Sequence, residues 1–291
     1  MGRLLNPRVG PGAEQPPTTA TASRPFDTVN VCQDGPLCWL TLDRPEKGNA
    51  LNPHVLDEID AVLADVAADR SIRVLILRGR GRGFCAGHEL GRDRGPDDVI
   101  SVLERMQRPF GTFERIWSLP KPVIASVHGY CIGAATQLAE SCDLIAVSSD
   151  VQIGLPKLPM GAGLTPPMLA LSVGVRRARM LAYDIGSTID GPTAVDWGWA
   201  NICADPGQLD HEVTVLAQRI ARSPLAVLAG QKAALNRVSA LQGFWQATTA
   251  GIEMDAMHHF ARTGEPTSRA IRELGVKGAL DLFEHGGLGG Q

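Results

Sequence analysis

An apolar run, VLILRG at 74–79, ends directly in a glycine-rich turn, GRGRGFCAG at 79–87, and the same arrangement returns where PVIASV at 122–127 leads into a glycine-containing turn at 128–135. A strand with one wet face alternates apolar and polar residues, so a continuous apolar run requires cover on both faces. Helices supply that cover. Before VLILRG, Val55, Leu56, Ile59, Val62, Leu63 and Val66 recur at three- and four-residue spacing and predict one buried helical stripe. After the second turn a helix is expected to carry Gln137, Leu138 and Glu140. Further strand-like runs are VNVC and LCWLTL before the first helix, and DLIAVSS and VQIG after the second. Repeated strand, strand, helix order with buried strands points to an α/β class and away from a sandwich or bundle.

From about residue 207 onward the reading is helical, over 208–221, 224–240, 244–262 and 267–283, and several positions are too apolar for a lone helical hairpin. An oligomer interface is the natural outlet for such surface. Residues 1–25, rich in Pro, Gly, Ala and Thr and without the apolar core of a signal peptide, are expected to form a flexible tail. The expected organisation is therefore a tail at 1–25, a core at 26–206 and a helical oligomerisation region at 207–291.

The 291 residues are 44% hydrophobic and 20% charged, an ordinary globular composition, and the formal charge of -3 argues against a general nucleic-acid binder. Arg78, Arg80 and Arg82 alternate with glycine, but three arginines at a strand end are a weak case for RNA; phosphate contact or solvation is expected. No apolar run approaches the roughly 20 residues that span a bilayer. Six scattered cysteines show neither CxxC nor metal-ligand spacing and read as reduced thiols of a cytoplasmic protein.

The two turns carry the chemical signal. Small residues let backbone approach a ligand closely, and two convergent N–H groups can stabilise a developing oxyanion. The plain alternative is that these glycines only permit tight turns. No G-x-S-x-G elbow is present, so a serine hydrolase mechanism has no visible nucleophile.

Four segments occur in a telling order: LDRPEKGNAL at 42–51, FCAGHEL at 84–90, HGYCIGAATQLAESCDLIAVSSD at 128–150 and IGLPKLPMGAG at 153–163. Together they resemble the crotonase (enoyl-CoA hydratase/isomerase) family from about Phe26 to the helical C-terminal part. The resemblance implies a spiral of ββα units with a C-terminal helical trimerisation region, hence a homotrimer or a dimer of trimers. It implies an acyl-CoA thioester substrate, with coenzyme A present only as part of the substrate and no metal or redox cofactor. The enolate donors would be the backbone amides of His88 and Ala134. Coenzyme A would lie along Lys47, Gly48, Ala86, His88, Glu89 and Leu90.

In the family's hydratases two glutamates manage water and proton; here those positions fall on Gln137 and Lys157. A glutamine amide orients water but is no base at neutral pH, and lysine serves as a base only when its pKa is lowered. Glu140, three residues beyond Gln137, is a substitute acid that can share the helix face; Glu89, Asp93, Asp97 and Asp98 are further carboxylates near the first turn. The His88 side chain can itself act near neutral pH, or its N–H alone can matter. The expected activity is acyl-CoA processing with an altered acid–base set. The alternatives are an acyl-CoA-binding protein without chemistry, and a decarboxylase or thioester hydrolase of the same fold.

Overall fold

The computed structural model describes residues 26–90, 98–159, 165–260 and 265–287. The expected tail at 1–25 lies outside them, as do Asp93 and Asp97. Strands β1 (Val29–Asp34) and β2 (Leu37–Leu42) form an antiparallel hairpin, followed by a short 3₁₀ turn at Pro45–Lys47 and helix α1 (Pro53–Ala68). Asn52 caps α1 by accepting from the Val55 amide at 3.0 Å, and Pro53 opens it where no N–H is needed. Then come β3 (Val74–Gly79), α2 (Val99–Ser118), β4 (Val123–Val127), β5 (Tyr130–Ile132), α3 (Ala134–Glu140), β6 (Leu144–Ser148) and β7 (Gln152–Gly154). Helices α4 (Thr165–Val173) and α5 (Val175–Tyr183), strand β8 (Thr188–Ile189), α6 (Gly191–Trp197) and β9 (Ile202–Ala204) follow. Four helices close the chain: α7 (Leu209–Ile220), α8 (Leu225–Leu241), α9 (Phe244–Phe260) and α10 (Glu265–Glu284).

The main sheet has the order β1-β2-β3-β4-β6-β9, parallel throughout except for the β1–β2 hairpin; a second, three-stranded sheet joins β5, β7 and β8. Strands β2, β3 and β4 are covered on both faces, as their unbroken apolar runs require. Cys38, Leu40, Leu75, Leu77, Val123 and Ala125 face the larger core with α1, whereas Trp39, Val74, Ile76 and Ile124 face α7 through Leu209, Val213 and Ala217. Helix α7 is thus a layer of the sheet's own core.

Arg78, expected to be solvated or phosphate-bound, pairs instead with Asp210 of α7 at 2.7 Å and lies 4.8 Å from the Trp39 ring centre. Arg80 pairs with Asp43 at 2.8 Å. Both arginines tie the sheet's surface to neighbouring segments.

Helix α2 had no counterpart in the sequence reading, because Pro109 and Gly111 interrupt its helical pattern. Asp98, one of the candidate carboxylates, is its N-cap and accepts from the amides of Ile100 and Ser101. Trp117 of α2 stacks on Phe244 of α9 at 4.4 Å, so α9 folds back onto the core as well. No helix among the described residues is long and apolar enough to cross a membrane.

Candidate active site

The first glycine turn is held between two other backbone segments. On one side the Gly48 carbonyl accepts from the Ala86 amide at 2.9 Å, the Leu51 amide donates to Gly87 O at 2.8 Å, and the Glu89 amide donates to Leu51 O at 2.9 Å. That is a parallel bridge between Leu51 and His88. In such a bridge the amides of the neighbouring residues reach across, so the N–H of His88 itself points away from Leu51. On the other side Cys85 bridges Cys131, with Cys85 N donating to Tyr130 O and Ile132 N to Cys85 O, each at 3.2 Å.

The two turns therefore meet. Gly87, at φ +90°, lies so close to the second turn that a β-carbon there would stand 2.6 Å from the Ile132 carbonyl oxygen and 3.3 Å from the Ala134 amide nitrogen. Gly133, at φ +61°, then turns the chain into α3, where Ala134 is the first residue. Amides of a helix's first turn have no acceptor within the helix. The arrangement brings the segments carrying His88 and Ala134 together.

The loop after β7 completes this wall. The Gly133 amide donates to Gly154 O at 2.9 Å, and the Pro156 ring lies 3.3 Å from where a β-carbon on Gly133 would be. Lys157 follows directly, with an exposed side chain. Gln137 is buried in α3, and its main-chain carbonyl accepts from the Ser141 amide and hydroxyl.

A family model described as enoyl-CoA hydratase/isomerase matches residues 33–267. The chain belongs to this family. It is similar to a probable enoyl-CoA hydratase of Rhizobium meliloti, with 31% identity over 217 residues covering 73% of this chain and 82% of that protein. It is also similar to the 1,2-epoxyphenylacetyl-CoA isomerase of Escherichia coli, with 34% identity covering 68% of this chain and 77% of that one. Among solved structures, an enoyl-CoA hydratase/isomerase-like protein from Novosphingobium aromaticivorans superposes with a TM-score of 0.84 at 33% identity, over 90% of this chain and all of that one.

Within this family fold, the residues expected to line the coenzyme A path divide into two sets. Lys47, Ala86, His88 and Leu90 are exposed beside one another, with Gly48 hydrogen-bonded to Ala86. Glu89 is occupied elsewhere: its Oε2 accepts from Arg44 Nη1 at 2.9 Å and from Asn52 Nδ2 at 2.7 Å. Arg44's hydrogen bond, then Asn52's, hold its carboxyl below the usual range. Glu89 ties the first turn to the start of α1.

Glu140 is buried between α3, α4 and the segment after α6. Its Oε1 accepts from Ser172 Oγ and Trp199 Nε1, both at 3.0 Å, while Oε2 meets no partner among the described residues. Burial outweighs these two donors and pushes its pKa up to about 8. Unfolded, the carboxyl returns to its ordinary value near 4.5. Between these pH values the folded state keeps a proton that the unfolded chain has released, so this group's contribution to stability falls as pH rises through the window and levels off above it. Glu140→Gln is therefore expected to flatten the fall in thermal stability between pH 5 and about 8, which parallel melts of the variant and the parent protein would measure.

Asn49, within the LDRPEKGNAL segment, organises the turn beside the site. Asn49 is buried at φ +55°; its Oδ1 accepts from Arg44 N at 3.0 Å, and its Nδ2 lies within 3.2 Å of the carbonyls of Arg80, Gly83 and Phe84. The local signal for it is an Asn directly after a Gly in a turn, where Asn tolerates the left-handed region.

Proposed function

We propose that this protein processes an acyl-CoA thioester, binding the thioester oxygen between the backbone amides of His88 and Ala134 and stabilising the enolate that forms there. The observation that supports this reading above any other is how closely the two turns approach: a β-carbon on Gly87 would stand 3.3 Å from the Ala134 amide nitrogen. Backbone donors in a pre-arranged pair favour the state in which oxygen carries charge, because they need no reorganisation as that charge develops. Coenzyme A would enter along Lys47, Gly48, Ala86, His88 and Leu90.

Around that oxygen the side chains differ from a hydratase's glutamate pair. Gln137 can orient a water or the acyl group, and Lys157 is the cation on the adjacent loop; neither is an ionised carboxylate. Glu140, kept largely protonated at neutral pH by its burial, is the buried acid of α3. This set favours reactions in which the enolate arises without a carboxylate base, such as decarboxylation, where departing carbon dioxide leaves its bonding pair on the α-carbon, over hydration. The second reading, a thioester-binding protein without turnover, is favoured by the same two substitutions. A panel of enoyl-, dienoyl-, malonyl- and hydroxyacyl-CoA thioesters, with products identified by mass, separates the two: binding without any new product would overturn the enzymatic reading.

The reading includes a homotrimer or a dimer of trimers. Leu235 and Leu241 of α8 and Met257 of α9 are all more than 60% exposed, an apolar surface that a partner copy would cover. Sedimentation of the full chain is expected to give three or six copies, and a stable monomer would contradict it.

A further inference from the structure

We propose that α10 holds the loop carrying Lys157 in register with the start of α3, with Ile271 and Thr267 as positioning residues. The inference rests on the proposed function for what the loop does, and on packing for how it is held.

The loop has three supports. Pro156 leans on Gly133 at the entry to α3, and the aliphatic stem of Lys157 lies over Gly186, 3.4 to 3.6 Å from where a β-carbon there would stand. The third support is remote in sequence. Leu158 turns its buried side chain away from both main cores and packs in a separate cluster with Ala270, Ile271 and Ala279 of α10. Thr267 Oγ1 adds a hydrogen bond to Pro159 O at 3.3 Å.

Helix α10 bends at Gly275, where φ is +72° and ψ is 173°, values no helix accommodates, and residues on both sides of the bend share the cluster with Leu158. Ala270 and Ile271 lie before the bend and Ala279 after it. A site element misplaced by about 1 Å can cost on the order of a hundredfold in rate. The loop's attachment to α10 runs through Leu158 and therefore depends on what covers that leucine.

The test uses the full chain in five forms: Ile271→Ala, Ile271→Val, Thr267→Val, Lys157→Ala, and Ile271→Ala combined with Lys157→Ala. Hydrogen exchange is expected to accelerate across 155–159 in Ile271→Ala, less so in Ile271→Val and Thr267→Val, while 74–79 and 123–127 stay unchanged. With acetoacetyl-CoA as probe, the dissociation constant is expected to rise about tenfold in Ile271→Ala and to recover to within about twofold of the parent in Ile271→Val. In the Lys157→Ala background, Ile271→Ala is expected to add less than about twofold, because residues acting through one element are not additive.

Unchanged exchange at 155–159, or fully additive losses, would overturn the proposal. If the parent protein does not bind acetoacetyl-CoA while exchange at 155–159 still follows Ile271, the proposed function fails and the positioning role stands.

Discussion

The full-length protein is expected to hydrate crotonyl-CoA poorly, and the double variant Gln137→Glu with Lys157→Glu to hydrate it roughly 10²- to 10⁴-fold faster, the range general acid–base groups contribute. Hydration requires a base for the water that attacks the β-carbon and an acid for the proton that reaches the α-carbon. Gln137 has no lone pair basic enough for the first task. Lys157, exposed on its loop, brings an amine where the second carboxylate would stand. Glutamate is nearly isosteric with glutamine, so at position 137 it enters a buried place already shaped for it. Burial there would raise its pKa, which suits a group that must both take and give a proton near neutrality. Thioester affinity should stay within a few-fold in Gln137→Glu alone, since the backbone amides and Lys157 are unchanged there. The assay is initial rate against crotonyl-CoA for the parent, both single variants and the double. A parent rate typical of hydratases would show that the altered pair does not limit the reaction.

What the sequence made legible depended on how local the cause was. The runs at Leu37–Leu42 and Val74–Gly79 became strands because residues alternate between two cores, and each needs an apolar partner on its own side. The four C-terminal helices were legible through the absence of strand alternation, which is also a local pattern. The site was legible as backbone, through glycines whose positive φ or close contacts only glycine permits.

Side-chain assignments were less legible. Glu89 and Glu140 are both carboxylates beside the turns, yet Arg44 and Asn52 claim one, and Ser172 with Trp199 claims the other. Those partners lie 32 to 59 residues away in the chain. No periodicity encodes a partner at that distance. Helix α2 was hidden differently: Pro109 forfeits an amide hydrogen bond inside the helix, and burial of its ring among α2's apolar residues offsets that loss in the folded state alone.

The second large effect is expected at Gly87. Gly87→Ala should abolish turnover of any thioester the parent processes, by at least the roughly 10²- to 10³-fold associated with losing one oxyanion donor. Two causes act together. At φ +90° an alanine is strained in itself, at a cost on the order of 1–3 kcal/mol. Its methyl group would also sit 2.6 Å from Ile132 O and 3.3 Å from Ala134 N, so the turns must separate or Ala134 must tilt. Neither obstacle is the yielding end of a side chain; both are backbone, pinned by the Cys85–Cys131 and Leu51–His88 bridges. A control keeps the result from reading as simple unfolding. Gly35, also at positive φ but with nothing within 4 Å of a new β-carbon, shares the strain without the collision. Gly35→Ala should therefore lower the melting temperature while leaving turnover per folded molecule unchanged. If Gly87→Ala folds and turns over as Gly35→Ala does, the two amides are not where the enolate is held.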